Sequence, residues 1–229
     1  MLIPVIPSEA VSGDFIAGMG EDVHELFSTE PLIVLGSGVP LTAAAMLLED
    51  SCGHGGFMGD GLLQDCSVGC HYAFGPALLA AAGAVWGIGA FADSPDTEET
   101  GQMLTEGLLL SYGISGALKL GTGRLRPDGH DSRSFPSAHS AGTVCAAVII
   151  WDRCGSGAGI PAAAMAAFTA LSRIQLNRHY PSDVIAGCAI GAAAGLAVVN
   201  SRNDPASEGN PVPALGISWS SSEGFGLYF

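Results

Sequence analysis

The chain has 229 residues, of which 48% are hydrophobic, 13% charged and 7% aromatic, and its mean hydropathy is +0.39. That charged fraction is about half the one-quarter of an average domain, so the bulk must hide its surface in a core or a bilayer and is not disordered. Eight Lys and Arg against 22 Asp and Glu give a formal charge of −14, the wrong sign for a nucleic-acid binder.

Residues 1–30 carry Glu9, Asp14, Glu21, Asp22, Glu25 and Glu30 and no Lys or Arg. A secretory leader opens on basic residues and continues into an apolar run, so this acidic segment does not read as one. Export by another route, or a leader outside these residues, are the two alternatives. Six apolar stretches follow, at 31–48, 75–92, 107–118, 141–151, 158–171 and 184–199. They are rich in Ala, Leu and Gly and show no sustained alternation, which predicts helices. Glu49-Asp50, the acidic run from Asp93 to Glu99, and Arg153 to Gly157 punctuate them as predicted loops. After a polar linker over 200–210, Leu215, Ile217 and Trp219 alternate with polar or small residues, as do Phe225, Leu227 and Phe229, which predicts a short β-hairpin. The expected architecture is all-α: a six-helix bundle over 31–200, an acidic segment at 1–30, and a linker with a strand-like tail over 201–229.

Cys145 and Cys188 lie in small-residue apolar runs and read as core thiols. Cys52, Cys66 and Cys70, with His54 and His71 nearby, match none of the common zinc spacings, and a disulfide among them is the alternative in an oxidising compartment. No metal site is therefore assigned. An uncharged run of 18 residues forms a helix of about 27 Å, just short of a hydrocarbon core of about 30 Å, so length permits spanning without requiring it. With alternating helices, Lys119, Arg124, Arg126, Arg133, Arg173 and Arg178 fall on the side opposite the N-terminus. An inward N-terminus then reverses the positive-inside bias, unless chemistry places those cations. A membrane bundle and a soluble Ala-rich bundle both fit.

Lys119 is the only lysine, and six of the eight cations fall within 119–133 and 173–178. That clustering points to an anion site built from two segments. In the first, Lys119 and Arg126 are seven residues apart, close to two helical turns, so a continuing helix puts both on one side; Gly121 and Gly123 loosen it. In the second, Ser134-Phe-Pro-Ser-Ala-His139, Ser137 is a natural N-cap, and the free N–H groups behind it favour an anion such as phosphate. His139 falls in that first turn, placed to donate a proton to an ester oxygen. In the third, Pro181 suits the first turn of the last helix, which puts His179 just before it and Asp183 inside its start. Asp183 can then reach one imidazole nitrogen and fix the tautomer, leaving the other as a nucleophile. Two histidines, one oriented by a carboxylate, with three cations and a helix N-terminus form a set suited to phosphoryl transfer without a metal.

Lys-x6-Arg-Pro, Pro-Ser-x-His and Ser-Arg-x5-His-x3-Asp, in this order over 119–183, resemble the three-part signature of the type 2 phosphatidic acid phosphatase superfamily, which also includes vanadium haloperoxidases and bacterial acid phosphatases. The resemblance, extended by the helix pattern to roughly 31–200, implies that His179 forms a phosphohistidine, that Asp183 is its partner and that His139 is the general acid. It implies that Lys119, Arg126, Ser137, Ala138 and Arg173 hold the phosphate. Ala138 stands where the family usually has glycine; its N–H is retained, and the added methyl bears on substrate range more than on chemistry. The implied activity is hydrolysis, without a cofactor, of phosphomonoesters or terminal phosphates, with lipid phosphates favoured by the apolar helices. The implied location is the cell envelope, membrane-associated or periplasmic, with the site facing away from the cytoplasm. The alternatives are a vanadium-dependent haloperoxidase, whose members are generally much longer, and an inactive anion-binding helical membrane protein.

Overall fold

A computed structural model describes residues 8–49, 65–69 and 74–203, and the backbone of 217–220 and 224–227. Six long helices follow one another: α1 (Ser8–Glu25), α2 (Thr29–Glu49), α3 (Pro76–Phe91), α4 (Pro95–Thr122), α5 (Ala138–Gln175) and α6 (Pro181–Asn203). A short helical stretch occupies 65–69. Strands β1 (Ile217–Ser220) and β2 (Gly224–Leu227) pair antiparallel, with Trp219 opposite Phe225.

The apolar stretches correspond to α2 to α6, with 141–151 and 158–171 in the two halves of α5; the elements differ from the sequence expectation at the acidic run and at the N-terminal segment. The acidic run after Asp93 is no loop. Pro95 opens α4, and Asp96 and Glu98 occupy its first turn, where proline lacks only an N–H that would be unsatisfied anyway and carboxylates meet the positive helix end. The break expected over 153–157 is present: Gly155, at φ 68° and ψ −172°, separates two helical halves of α5. Acidic residues 8–25 also form a helix, α1. It is held by Ser201 Oγ donating to Asp22 Oδ1 (2.5 Å) and by Phe15 stacking on Trp86 with ring centroids 5.2 Å apart.

A straight helix of 38 residues is about 57 Å long. Yet Ser137 N, before the start of α5, donates to Asp183 O (2.8 Å), while Arg173 O, in its last turn, accepts from His179 N (3.2 Å). The two halves of α5 therefore reverse at Gly155, and both ends meet the start of α6. Gly187, Gly191 and Gly195 form a ridge along α6 at four-residue spacing. A Cβ on these would sit 2.4 Å from Ser137 O, 2.1 Å from Ala141 O and 2.9 Å from Val148 Cβ respectively. Only hydrogen at these three positions lets α6 lie against the first half of α5. The core beside that contact is Met103, Leu110, Cys145, Ile149, Ala194, Ala197, Val198 and Val199. Cys145, Ala194 and Ala197 among them are small, which keeps the helices close.

Among the described residues, three helices, α2, α5 and α6, are long and apolar enough to cross a membrane. With 21 and 23 residues, α2 and α6 are about 31 and 34 Å long, enough for a hydrocarbon core of about 30 Å. Large apolar side chains of α2 face outward, with Val39 69% and Leu47 82% exposed, an arrangement suited to a lipid surround. Cys145 is buried as expected, whereas Cys188 is only half-buried because its position on α6 lies away from the deepest packing. Cys66 is an exposed free thiol in the 65–69 stretch; Cys52, Cys70, His54 and His71 lie outside the described residues.

Candidate active site

The first segment is split across a helix end. Gly123, left-handed at φ 55°, caps α4, and its N–H donates to Lys119 O (3.2 Å). Lys119 is thus in the last helical turn and Arg126 in the loop beyond, so the two cations do not share a helix face as their spacing suggested; a glycine that adopts positive φ without cost ends the helix between them. Lys119 Nζ donates to the carbonyls of Arg133 (2.7 Å), Ser134 (3.5 Å) and Pro136 (2.5 Å), pinning the chain that leads into α5. Burial, then the charge of Arg126, lower its pKa to about 8, against the pull of Asp183. Asp131 braces the loop by accepting from Arg126 Nε (2.7 Å) and Arg133 N (2.8 Å). Burial opposes its ionisation, but those hydrogen bonds and the Arg126 charge hold it at about 2.

Ser137 caps α5 as its sequence suggests. It is extended at φ −78° and ψ 104°, wholly buried, and its Oγ accepts from Ser140 N (3.4 Å) and Ser140 Oγ (2.9 Å). Ala138 and His139 are half-buried in the first turn. At the other end of α5, Arg173 is 1% exposed; it donates from Nε and Nη2 to Ser172 Oγ (3.1 and 2.9 Å) and from Nη2 to Ser67 O (3.2 Å).

His179 stands where these segments meet. Its N–H is tied to Arg173 O, and Arg126 Nη1 lies 3.2 Å from its Nε2 and 3.1 Å from Arg178 O. A guanidinium can only donate, so Nε2 accepts and the ring proton sits on Nδ1. Burial pushes the imidazole pKa below its ordinary value; Asp183 opposes this, while Arg126 and Lys119 add to it. The ring is therefore neutral at neutral pH, with its Nε2 lone pair in use by Arg126.

Asp183 is wholly buried. Its Oδ1 takes Arg124 Nη1 (2.6 Å), and its Oδ2 takes Ser134 Oγ and Tyr180 N (2.9 Å). His179 Nδ1 is 3.7 Å from Oδ2, longer than a hydrogen bond, and has no hydrogen-bond partner among the described residues. The structure thus clusters His179, Asp183, Arg126 and Lys119, and sets the Ser137–His139 turn beside Asp183 through the Ser137 N to Asp183 O bond.

Sequence reasoning missed the residues that hold this cluster. Arg124 lies between Asp183 and Glu49, with its guanidinium 4.1 Å over the Tyr180 ring. Glu49 Oε1 accepts from Ser182 N (2.9 Å). Arg178 pairs with Asp128 (3.0 Å). The clustering of arginines was visible in the sequence; which of them carboxylates neutralise was not, because those partners lie up to 75 positions away.

Residues 103–206 match the sequence profile of the PAP2 superfamily. A lipid A 1-phosphatase of Porphyromonas gingivalis is 39% identical over 101 residues, 42% of this chain and 23% of that protein. A decaprenylphosphoryl-5-phosphoribose phosphatase of Mycobacterium tuberculosis is 46% identical over 66 residues, 28% of this chain and 35% of that protein. The chain thus spans about a quarter to a third of the length of these curated relatives. Among solved structures, a transmembrane PAP2-type phosphatidylglycerolphosphate phosphatase from Bacillus subtilis shares the fold with a TM-score of 0.51 and 20% identity, over 83% of this chain and 93% of that one. Residues 103–206, which hold all three segments of the site, are thus similar to the PAP2 superfamily.

Proposed function

We propose that the protein is a metal-independent phosphatase that hydrolyses lipid phosphates, as monoesters or terminal phosphates, through a phosphohistidine on His179. The observation that carries this reading is the 3.2 Å contact between Arg126 Nη1 and a buried, neutral His179: a phosphate-binding cation and a nucleophile share one spot. An incoming phosphate draws Arg126 onto its own oxygens and frees the Nε2 lone pair. That lone pair attacks phosphorus, the P–N bond forms, the ester P–O bond breaks, and protonated His139 gives its proton to the departing oxygen. Water then loses a proton to His139 and attacks phosphorus; the P–N bond breaks, phosphate leaves, and both imidazoles return to their starting states. A shift of under about 1 Å brings His179 Nδ1–H within hydrogen-bond reach of Asp183, whose charge steadies the ring once phosphorylated. Lys119, Arg126, Arg173, Ser137 and the N–H of Ala138 serve the equatorial oxygens.

The lipid substrate is supported by the outward apolar face of α2 and by the names of the relatives, a lipid A 1-phosphatase and a decaprenylphosphoryl-5-phosphoribose phosphatase. We read residues 31–200 as the catalytic bundle, 1–30 and 201–229 as appended segments with a terminal hairpin, and the site as facing away from the cytoplasm in the cell envelope. The test is turnover of a short-chain lipid phosphate and an aryl phosphate by the detergent-purified chain, wild type and His179→Ala. Denaturant-quenched phosphate-labelled wild type is expected to carry an acid-labile, base-stable phosphoryl group that His179→Ala lacks. Turnover persisting in His179→Ala overturns the mechanism.

A further inference from the structure

The carboxylate of Asp183 does not answer to His179 alone. Its Oδ1 is held at 2.6 Å by Arg124, whose other guanidinium nitrogen pairs with Glu49 Oε2. Glu49 is the last residue of α2, 6% exposed, and its Oε1 accepts from Ser182 N (2.9 Å). Ser182 N–H is one of the free donors at the start of α6, so a helix distant in sequence supplies the cap. Arg124 Nη1 also donates to Ser182 Oγ (2.7 Å). Gly38 brings α2 against α6, since a Cβ there would stand 2.5 Å from Ala189 Cβ. One guanidinium thus bridges two buried carboxylates, and the trio retains one uncompensated negative charge beside His179.

We infer that Glu49 and Arg124 are positioning residues: through Asp183 and the first turn of α6 they set both the place of His179 and its proton affinity. This rests on the phosphatase reading above and deepens it. The uncompensated charge matches the positive charge His179 carries when phosphorylated, and the rigid bridge keeps Asp183 from turning away. The charged groups facing His179 are Asp183 on α6, Lys119 on α4 and Arg126 in the following loop; Asp131 stands behind Arg126, and Glu49 and Arg124 stand behind Asp183. Glu49 and Arg124 can be altered without touching the reacting groups.

The experiment is the pH dependence of kcat/KM for a water-soluble short-chain phosphate, using the full chain in detergent, for wild type, Glu49→Gln, Arg124→Gln, Arg124→Lys and His179→Ala. Neutral His179 is the attacking form, so the acid limb reports its proton affinity. Glu49→Gln removes a negative charge and moves that limb to lower pH; Arg124→Gln removes a positive charge and moves it to higher pH. Each shift is roughly half a unit or more, the size of one charge acting at short range through an effective dielectric of about 20. Arg124→Lys keeps the charge and restores the wild-type limb, with kcat still reduced because the two-pronged bridge is lost. KM changes less than kcat in all three. The ¹⁵N titration of the His179 imidazole, recognised by its loss in His179→Ala, gives the same shifts in variants too slow to assay. If Glu49→Gln does not fold, the upward shift in Arg124→Gln decides alone. Limbs that coincide with wild type in folded variants, or that move in the same direction for both charge removals, overturn the inference. Activity surviving in His179→Ala overturns the phosphatase mechanism instead.

Discussion

Gly187→Ala tests whether the α5–α6 contact sets the site. The added methyl lies 2.4 Å from Ser137 O, and an ordinary contact is about 3.5 Å, so the helices must part by roughly 1 Å. The Ser137 N to Asp183 O bond, now 2.8 Å, spans the same gap and stretches to roughly 3.8 Å, past the hydrogen-bond limit. Overpacking costs about 1–3 kcal/mol, and the better helix propensity of alanine returns about 1 kcal/mol, so the net loss is roughly 0–2 kcal/mol and the fold survives. The rate suffers more, because a displacement of about 1 Å between reacting groups costs on the order of 100-fold. The assay pairs kcat/KM on a short-chain lipid phosphate with apparent Tm in detergent, alongside Gly113→Ala, where a Cβ meets nothing within 4 Å. The control is expected to keep its activity and melt no lower than wild type. A folded Gly187→Ala with wild-type kcat/KM refutes the idea that this contact holds the site.

Three further outcomes are expected. The pH profile of kcat/KM rises through a limb below 6.5, where the buried His179 loses its proton, and falls as pH passes about 8 and Lys119 loses its charge; Lys119→Arg is expected to move the falling limb to higher pH, and an unmoved limb shows that Lys119 does not cause it. Asp131→Asn removes the carboxylate that braces Arg126, a charge-assisted hydrogen bond worth about 1.5–3 kcal/mol, and is expected to weaken inhibition by vanadate or phosphate by roughly 10-fold or more; unchanged inhibition constants refute the brace. The expressed chain is expected to stay with membranes through alkaline carbonate extraction, and recovery in the supernatant shows that α2, α5 and α6 do not span.

Much of this molecule is written locally. Small-residue apolar runs, Pro95 and Pro181 at helix starts, Ser137 as a cap and Gly123 as a stop each act within a turn or two, so their effects can be read from neighbouring residues. Where the reading strayed, the helix followed a rule of the same range that was weighed differently. Acidic residues after Asp93 look like a loop by composition, yet they suit a helix start headed by proline. The break expected over 153–157 is confined to Gly155, where the two halves of α5 reverse.

Short-range spacing and chemistry set the helices, the family signature and which residue types compete for an anion, so all three are legible along the chain. That Arg124 serves Asp183 and Glu49, that Lys119 is held by three carbonyls, and that Asp183 stands 3.7 Å from His179 emerges from the folded arrangement alone. Those pairings depend on how each helix is rotated about its axis and how closely glycines let helices approach, and both are settled by packing between residues far apart in the chain.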